Sequence, residues 1–161
     1  SRRARCGRHR SNDRPAVAPT AQNRDTGGMV DDVERFAERY AESGTPAALA
    51  AELATLGTDY QASGYTTRDQ ANALGEALML APGRRLLDVG SGCGWPGLYL
   101  ASRHGCSVVS VDPVLDGSRV TRERAVADGL AERSAAVQGD AESIPLRSRS
   151  VDAVVHGDLL C

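Results

Sequence analysis

Four glycines fall within eight residues in the segment LLDVGSGCGWPG, which runs from Leu86 to Gly97 and begins with a short apolar run. Glycine adopts positive φ values and, having no Cβ, lets a ligand approach the backbone closely. Where such a loop joins a parallel strand to a helix, the free N–H groups at the helix start favour an anionic ligand group. The segment therefore predicts a ligand site at the carboxyl end of a strand.

Two classes of ligand compete for this loop. Residues 92–97 read as GxGxxG, and Asp112 follows Gly92 by twenty positions, a spacing typical of dinucleotide sites in which the acid binds a ribose. Asp88, however, lies two residues before the first glycine, where its charge would repel a pyrophosphate. The same carboxylate attracts an ammonium group, and S-adenosylmethionine carries an ammonium, a ribose diol and an adenine without any phosphate. The residues favour S-adenosylmethionine, and an NAD(P)-binding oxidoreductase is the alternative.

Three segments, in order, resemble the motifs of class I S-adenosylmethionine-dependent methyltransferases, in the small-molecule group that includes quinone-biosynthesis enzymes. LLDVGSGCG is similar to the first motif, h-D-h-G-x-G-x-G, and SVVSVDPV is similar to the second strand with its terminal acid. GDAESIPLRSRSVDAVV resembles the third motif and the fourth strand. The likeness extends from about Gly64 to the end of the chain. It implies methyl transfer from S-adenosylmethionine to a small-molecule acceptor by direct displacement.

The resemblance also implies a role for individual residues. The glycine loop would line the methionine portion beside Asp88, Asp112 would accept both ribose hydroxyls, and the residues after the second and third strands would contact the adenine. The implied cofactor-binding set is Asp88, Gly90, Ser91, Gly92, Gly94, Asp112, Pro113, Val114, Asp140 and Ala141. A lid made of Tyr65, Thr66 and Gln70 would cover the ligand. As alternatives, Asp88 and Asp112 could be ordinary strand-end residues, and Asp140 could cap a turn.

Three further side chains near these motifs could do chemistry. His156 follows the fourth strand and is the candidate general base, although a loop histidine is the competing interpretation. Cys93 is interpreted as a small loop residue rather than a nucleophile, and Trp95 as packing between helix and sheet. The sequence HGDLLC after the fourth strand lacks the Asn/Asp-Pro-Pro-aromatic motif, which argues against methylation of amino groups on bases or glutamine.

Composition excludes several classes of protein. All 19 basic residues are arginine. Residues 1–28 carry a net charge of +5 and the whole chain carries −2, so residues 29–161 carry −7. An acidic body argues against nucleic acid as a partner. Four scattered cysteines show no zinc spacing, which indicates reduced thiols in a cytoplasmic protein without a metal site. No apolar run approaches the ~20 residues that span a bilayer.

The elements that must position these residues follow from hydrophobic periodicity and capping signals. Helices are predicted at 30–42, from Pro46 to Gly57 and from Thr67 to about Leu80. After them, strands alternate with helices, which predicts an α/β fold, a Rossmann-like doubly wound parallel sheet behind an N-terminal helical segment. The predicted strands are 85–89, 107–112, 135–138 and 151–155, in the order 3-2-1-4, with helices at 96–103 and from Asp116 to 128.

These elements suggest three regions. Residues 1–28 form a disordered Arg-rich leader, residues 29–82 an N-terminal helical or lid segment, and residues 83–161 the N-terminal half of a methyltransferase domain. Because the family continues beyond its fourth strand, that strand is expected at an exposed edge, which promotes aggregation and leaves the chain inactive. A non-catalytic ligand-binding fragment of the same fold is therefore a third interpretation.

Overall fold

The computed structural model describes the backbone of residues 26–157 and the side chains of residues 32–157. This part of the chain contains five α-helices, one 3-10 helix and four strands. In chain order they are α1 (Thr26–Ser43), α2 (Pro46–Thr55), α3 (Arg68–Ala77), β1 (Arg85–Val89), α4 (Gly97–His104), β2 (Ser107–Asp112), α5 (Leu115–Ala127), the 3-10 helix (Ala131–Arg133), β3 (Ser134–Gln138) and β4 (Ala153–His156). Residues 1–25, which include most of the predicted leader, lie outside the described residues.

The four strands of the described region form one parallel sheet in the order β3-β2-β1-β4. This confirms the predicted Rossmann-like sheet and its order. Parallel strands need crossover connections, and α4 and α5 supply those between β1, β2 and β3. The connection from β3 to β4 is a loop without a helix, and it passes from one edge of this sheet to the other.

Both faces of the sheet are covered by apolar side chains. Leu86 of β1 lies in one cluster with Leu98 of α4, and this cluster also includes residues of β2, α5 and β4. The next residue, Leu87, points to the opposite face because side chains alternate along a strand. There it packs with Val111 of β2 and is covered by Ile144 from the β3–β4 loop. The sheet therefore has a fixed register, and the carboxyl ends of its strands meet at one edge.

Several predicted boundaries differ from the observed ones. Helix α1 begins at Thr26, four residues before its predicted start. Helix α5 begins at Leu115 with Val114 as its N-cap, so the prediction that Asp116 caps this helix is wrong. The reason is that the Asp112 carboxylate accepts a hydrogen bond from the Val114 N–H (2.9 Å) and closes the turn earlier. Asp116 instead lies in the first turn and pairs with Arg119 at 3.0 Å.

Helices α2 and α3 begin where their caps predict, although α3 ends at Ala77, before its predicted end near Leu80. The Ala48 N–H donates to Thr45 Oγ1 (3.3 Å) at the start of α2, and Thr67 and Gln70 form a complete capping box at the start of α3. Between these helices runs the α2–α3 loop, residues 56–67. The buried Glu52 fixes this loop because its Oε1 accepts from the Tyr60 N–H at 2.8 Å. The Tyr60 hydroxyl donates to Asp128 Oδ2 at 3.0 Å, which attaches this loop to the end of α5.

Candidate functional site

A small cavity of about 30 Å³ lies where β1 and β4 end. The α2–α3 loop forms one wall and the glycine loop after β1 forms the other. The cavity is lined by Ala62, Ser63, Gly64, Thr66, Gly90, Ser91, Gly92, Cys93, Trp95, Pro96 and Gly157. Of the residues predicted from the sequence, Gly90, Ser91 and Gly92 of the cofactor-binding set line this cavity, and so does Thr66 of the lid. It has room for a few water molecules, whereas sites for small ligands usually measure about 300–1,000 Å³.

The glycine loop has the backbone conformation that its sequence predicts. Gly90, Gly92 and Gly94 have φ values of 67°, 51° and 102°, which side chains with a Cβ rarely adopt. The Gly90 N–H donates to the Val111 carbonyl at 2.8 Å, so the end of β2 fixes the loop. Gly94 serves packing as well, because a Cβ there would lie 2.8 Å from Leu98 Cδ1.

Asp112 is the buried acidic centre of the site, with 1% of its surface exposed. Its Oδ2 accepts from the Gly92 N–H (2.8 Å) and from the Tyr40 hydroxyl (3.2 Å). Its Oδ1 accepts from the Val114 N–H. Burial raises the pKa of this carboxyl, and the three donors lower it in part. The carboxylate therefore joins the glycine loop, the start of α5 and the helix α1.

Asp88 lies behind the glycine loop, on the face of the sheet that α4 covers. It has no exposed surface, and its Oδ2 accepts from the Gly97 N–H at 2.9 Å at the start of α4. Its Oδ1 has no hydrogen-bond partner among the described residues. The pKa of Asp88 is raised to about 7: burial raises it most, the Gly97 N–H lowers it in part, and the negative charge of Asp112 adds to the rise. The predicted contact between Asp88 and a ligand ammonium stays a prediction.

Gly97 must lack a side chain because of this arrangement. A Cβ at residue 97 would lie 2.4 Å from Asp88 Oδ2 and 2.8 Å from Asp88 Cβ, and the strand behind Asp88 leaves it no room to move. We expect Gly97→Ala to lower the free energy of unfolding by about 1–3 kcal/mol, the usual effect of overpacking. Urea denaturation measures this change. Ser102→Ala, on the exposed face of the same helix, is the control and should change stability by less than about 0.5 kcal/mol.

Tyr40 is a site residue that the sequence interpretation missed. Its position on the apolar face of the predicted helix 30–42 indicates core packing, and it does pack with Cys93 and Val114. The residues around Tyr40 in the sequence do not show that its hydroxyl reaches Asp112, because Asp112 lies 72 positions further along the chain. Burial raises the pKa of Tyr40, and Asp112 raises it further, so the phenol is a neutral hydrogen-bond donor.

The three residues of the predicted lid have different surroundings in the structure. Thr66 lines the cavity, and its carbonyl accepts from Trp95 Nε1 at 2.9 Å. Gln70 closes the capping box of α3, and Tyr65 is 76% exposed. Trp95 itself packs against two tyrosine rings, with centroid distances of 5.5 Å to Tyr60 and 5.3 Å to Tyr99. Trp95 therefore joins the glycine loop to the α2–α3 loop, in addition to its predicted packing role.

The residues expected to contact the adenine lie near the ends of β2 and β3. Val114 is buried, whereas Pro113 and Ala141 are exposed. Asp140 Oδ1 accepts from the Glu142 N–H (2.9 Å), the turn-capping geometry that the sequence left open as an alternative. None of these four positions lines the 30 Å³ cavity. Their predicted contact with an adenine stays a prediction.

The groups that could react directly have different surroundings. His156 is the last residue of β4, paired in register with Val89, and its side chain is exposed. Burial raises the pKa of Cys93 to about 12, so at neutral pH it is a thiol rather than a nucleophilic thiolate.

Within residues 32–157, no group of three or more His, Cys, Asp or Glu side chains is arranged to hold a metal ion. No helix in the described part of the chain is long and apolar enough to cross a membrane.

Known proteins resemble this chain in sequence. A family model described as a methyltransferase domain matches residues 87–161. The chain is 34% identical over 124 residues to ribosomal RNA small subunit methyltransferase G of Mycobacterium leprae, covering 76% of this chain and 47% of that protein. It is also 32% identical over 79 residues to Methyltransferase GfsG of Streptomyces halstedii, covering 49% of this chain and 28% of that protein. The chain thus spans about half the length of the first relative and less of the second.

A solved structure agrees with these matches. The S-adenosylmethionine-dependent methyltransferase of Thiobacillus denitrificans, solved in complex with S-adenosyl-L-homocysteine, superimposes with a TM-score of 0.50 and 31% sequence identity. The superposition covers 56% of this chain and 36% of that one. Residues 87–161 therefore match a methyltransferase domain, and the described chain has the fold of the S-adenosylmethionine-dependent methyltransferases.

Proposed function

We propose that this chain binds S-adenosylmethionine at the glycine loop and takes part in methyl transfer to a small-molecule acceptor. The observation that carries the proposal is the position of Asp112. Its carboxylate ends β2, accepts the Gly92 N–H at 2.8 Å and so lies directly beside the glycine loop, within the segment that matches a methyltransferase domain. A carboxylate at this point is suited to accept two hydrogen bonds from a ribose diol.

The residues present fit the chemical groups of this cofactor. Asp88 Oδ1 is buried without a hydrogen-bond partner among the described residues, and a buried polar atom gains free energy from a donor such as an ammonium group. Gly92 allows close approach to its backbone, since it has no Cβ. Two buried carboxylates beside one loop would repel the diphosphate of a dinucleotide. The charge of the site therefore supports S-adenosylmethionine over NAD(P).

The residues of this chain mainly orient and enclose the reactants. When bound, S-adenosylmethionine supplies a methyl group on a positively charged sulfur, which a nucleophilic atom of the acceptor can displace directly. Asp112 and the glycine loop fix the position of the donor, and alignment of this kind accounts for much of the rate in such reactions. Trp95 and Thr66 close the site toward solvent. His156, at the end of β4, is the candidate base for an acceptor that must lose a proton.

A small molecule is the acceptor class that the charge of the chain supports. Residues 29–161 carry a net charge of −7, whereas RNA binding requires a basic surface. The relative from Mycobacterium leprae is named for ribosomal RNA, so RNA is the second candidate. Methyl transfer from radiolabelled S-adenosylmethionine, assayed in parallel with ribosomal RNA and with a panel of phenols, quinols and amines, distinguishes the two. We place the reaction in the cytoplasm, consistent with the free thiols of Cys93 and Cys106.

Calorimetry tests the choice of cofactor. We expect S-adenosyl-L-homocysteine to bind at least about tenfold more tightly than NADH, because only NADH brings a diphosphate toward Asp88 and Asp112. Tighter binding of NADH would contradict the proposal and favour the oxidoreductase alternative. Binding of S-adenosyl-L-homocysteine with no transfer to any acceptor would favour the non-catalytic interpretation.

A further inference from the structure

Helix α1 lies on the part of the site that a ribose would occupy. Tyr40, in its last turn, is 8% exposed, and its hydroxyl donates to Asp112 Oδ2 at 3.2 Å. The ring lies between the glycine loop and α5: a Cβ placed on Gly92 would be 3.5 Å from Tyr40 Cε1, and one placed on Gly117 would be 2.9 Å from Tyr40 Cε2. Tyr40 thus fills the space directly above the Asp112 carboxylate.

This arrangement is incompatible with a ribose on Asp112. The two carboxylate oxygens already accept three hydrogen bonds, from Gly92, Val114 and Tyr40. The two amide donors belong to the glycine loop and to the N-cap of α5, both of which the sheet holds in place, so Tyr40 is the donor that can leave. Asp112 is only 1% exposed in this conformation, and no sugar reaches it without displacing the tyrosine ring.

Two sets of contacts hold α1 in this position. We call residues 33–43 of α1 the latch. On one side its apolar face, formed by Val33, Phe36 and Ala37, packs with Tyr40 against Val114 and Val120. On the other side, Arg39 and Ser43 donate hydrogen bonds to the Ser63 and Gln61 carbonyls of the α2–α3 loop. The same loop lines the 30 Å³ cavity through Ser63, so the latch and this wall of the cavity are connected.

We propose that the latch is an autoinhibitory element: Tyr40 occupies the ribose position on Asp112 and must leave it before the cofactor binds. This inference rests on the proposed function. A protein with two such conformations has an apparent dissociation constant equal to the intrinsic constant divided by the fraction that is open. Any change that weakens the closed contact therefore tightens cofactor binding. A partner or substrate that holds α1 away from Asp112 acts as an activator.

Removal of one hydroxyl tests the latch. Tyr40→Phe keeps the ring and its packing but loses the hydrogen bond to Asp112. We expect it to bind S-adenosyl-L-homocysteine roughly three- to tenfold more tightly than the wild-type chain, as loss of one hydrogen bond from the closed state implies. Tyr99→Phe is the matched control, since it removes a hydroxyl that donates to Asn72 (2.7 Å) outside the site. The control should bind like the wild type.

Amide hydrogen exchange gives a second measurement that needs no ligand. Exchange in residues 33–43 should become roughly three- to tenfold faster in Tyr40→Phe and stay unchanged in Tyr99→Phe, because local opening governs these rates. Equal or weaker binding by Tyr40→Phe would overturn the latch, and so would unchanged exchange in α1. If neither the wild type nor either variant binds S-adenosyl-L-homocysteine, the proposed function fails and the latch fails with it. If the wild type and both variants bind S-adenosyl-L-homocysteine equally well, the latch is rejected and the proposed function is not.

Discussion

Replacing Asp112 with alanine is expected to weaken the binding of S-adenosyl-L-homocysteine by about ten- to a hundredfold. The carboxylate is the acceptor proposed for the ribose hydroxyls, and hydrogen bonds to a charged group contribute about 1.5–3 kcal/mol. Alanine also releases Tyr40 and opens the latch, which acts in the opposite direction. The loss of the acceptor should prevail, because the ribose would donate two hydroxyl groups to Asp112 whereas the latch donates only one, at 3.2 Å. Calorimetry with the purified variant measures the change.

Asp116→Ala is the control for this experiment. Asp116 lies four residues further along the chain, in the first turn of α5, and its only described partner is the exposed Arg119 at 3.0 Å. Its removal should leave the dissociation constant within about twofold of the wild-type value, since exposed ion pairs contribute little. Similar affinities for the Asp112 and Asp116 variants would show that the ribose is bound elsewhere. A thermal melt of both variants must first establish that each one folds.

The stability of the chain is expected to decrease as the pH rises from 5 to 8, and Asp88 should account for about 2–3 kcal/mol of that decrease. Burial raises its pKa to about 7 in the folded chain, against an ordinary value of 3.8. Between these two values the folded state retains a proton that the unfolded state has released. The stabilisation is therefore complete below about pH 4 and is lost as the pH passes 7.

Asp88→Asn isolates this effect. Asparagine has the same shape, keeps an oxygen that accepts from the Gly97 N–H, and does not ionise. The difference in free energy of unfolding between pH 5 and pH 8, measured with urea, should be about 2–3 kcal/mol smaller in the variant than in the wild type. Other buried groups with raised pKa values, such as Asp112 and Glu52, remain in both proteins and cancel. Identical pH profiles would show that Asp88 is ionised throughout.

Much of the fold could be predicted because local signals agree with one another. Strands β1 and β2 were predicted at their observed bounds, 85–89 and 107–112, since each is an apolar run that ends at a glycine or proline turn. The capping box at Thr67 was predicted from four residues and is complete. The predicted glycine loop shows positive φ at three of its glycines. In each case the deciding interactions lie within a few positions in the sequence.

The rest depends on contacts between distant residues. Tyr40 and Asp112 are 72 positions apart, and an aromatic residue on an apolar helix face gives no sign of where its hydroxyl points. The start of α5 depends on the Asp112 carboxylate accepting from the Val114 N–H, whereas the local sequence favours Asp116 as the cap. The direction of Asp88 follows from which face of the sheet α4 covers. Only the assembled sheet and helices determine these three features.

The backbone of the glycine loop is already fixed by the sheet. The N–H groups of Gly90 and Ser91 both donate to the Val111 carbonyl, at 2.8 and 3.3 Å, so the loop takes its shape when β1 and β2 pair. The proposed latch therefore places the conformational change that precedes binding in α1 and in the α2–α3 loop bonded to it, rather than in the glycine loop. Association then has two regimes. At low cofactor concentration uptake follows the encounter rate, whereas at high concentration it reaches a ceiling equal to the rate at which the helix lifts from Asp112.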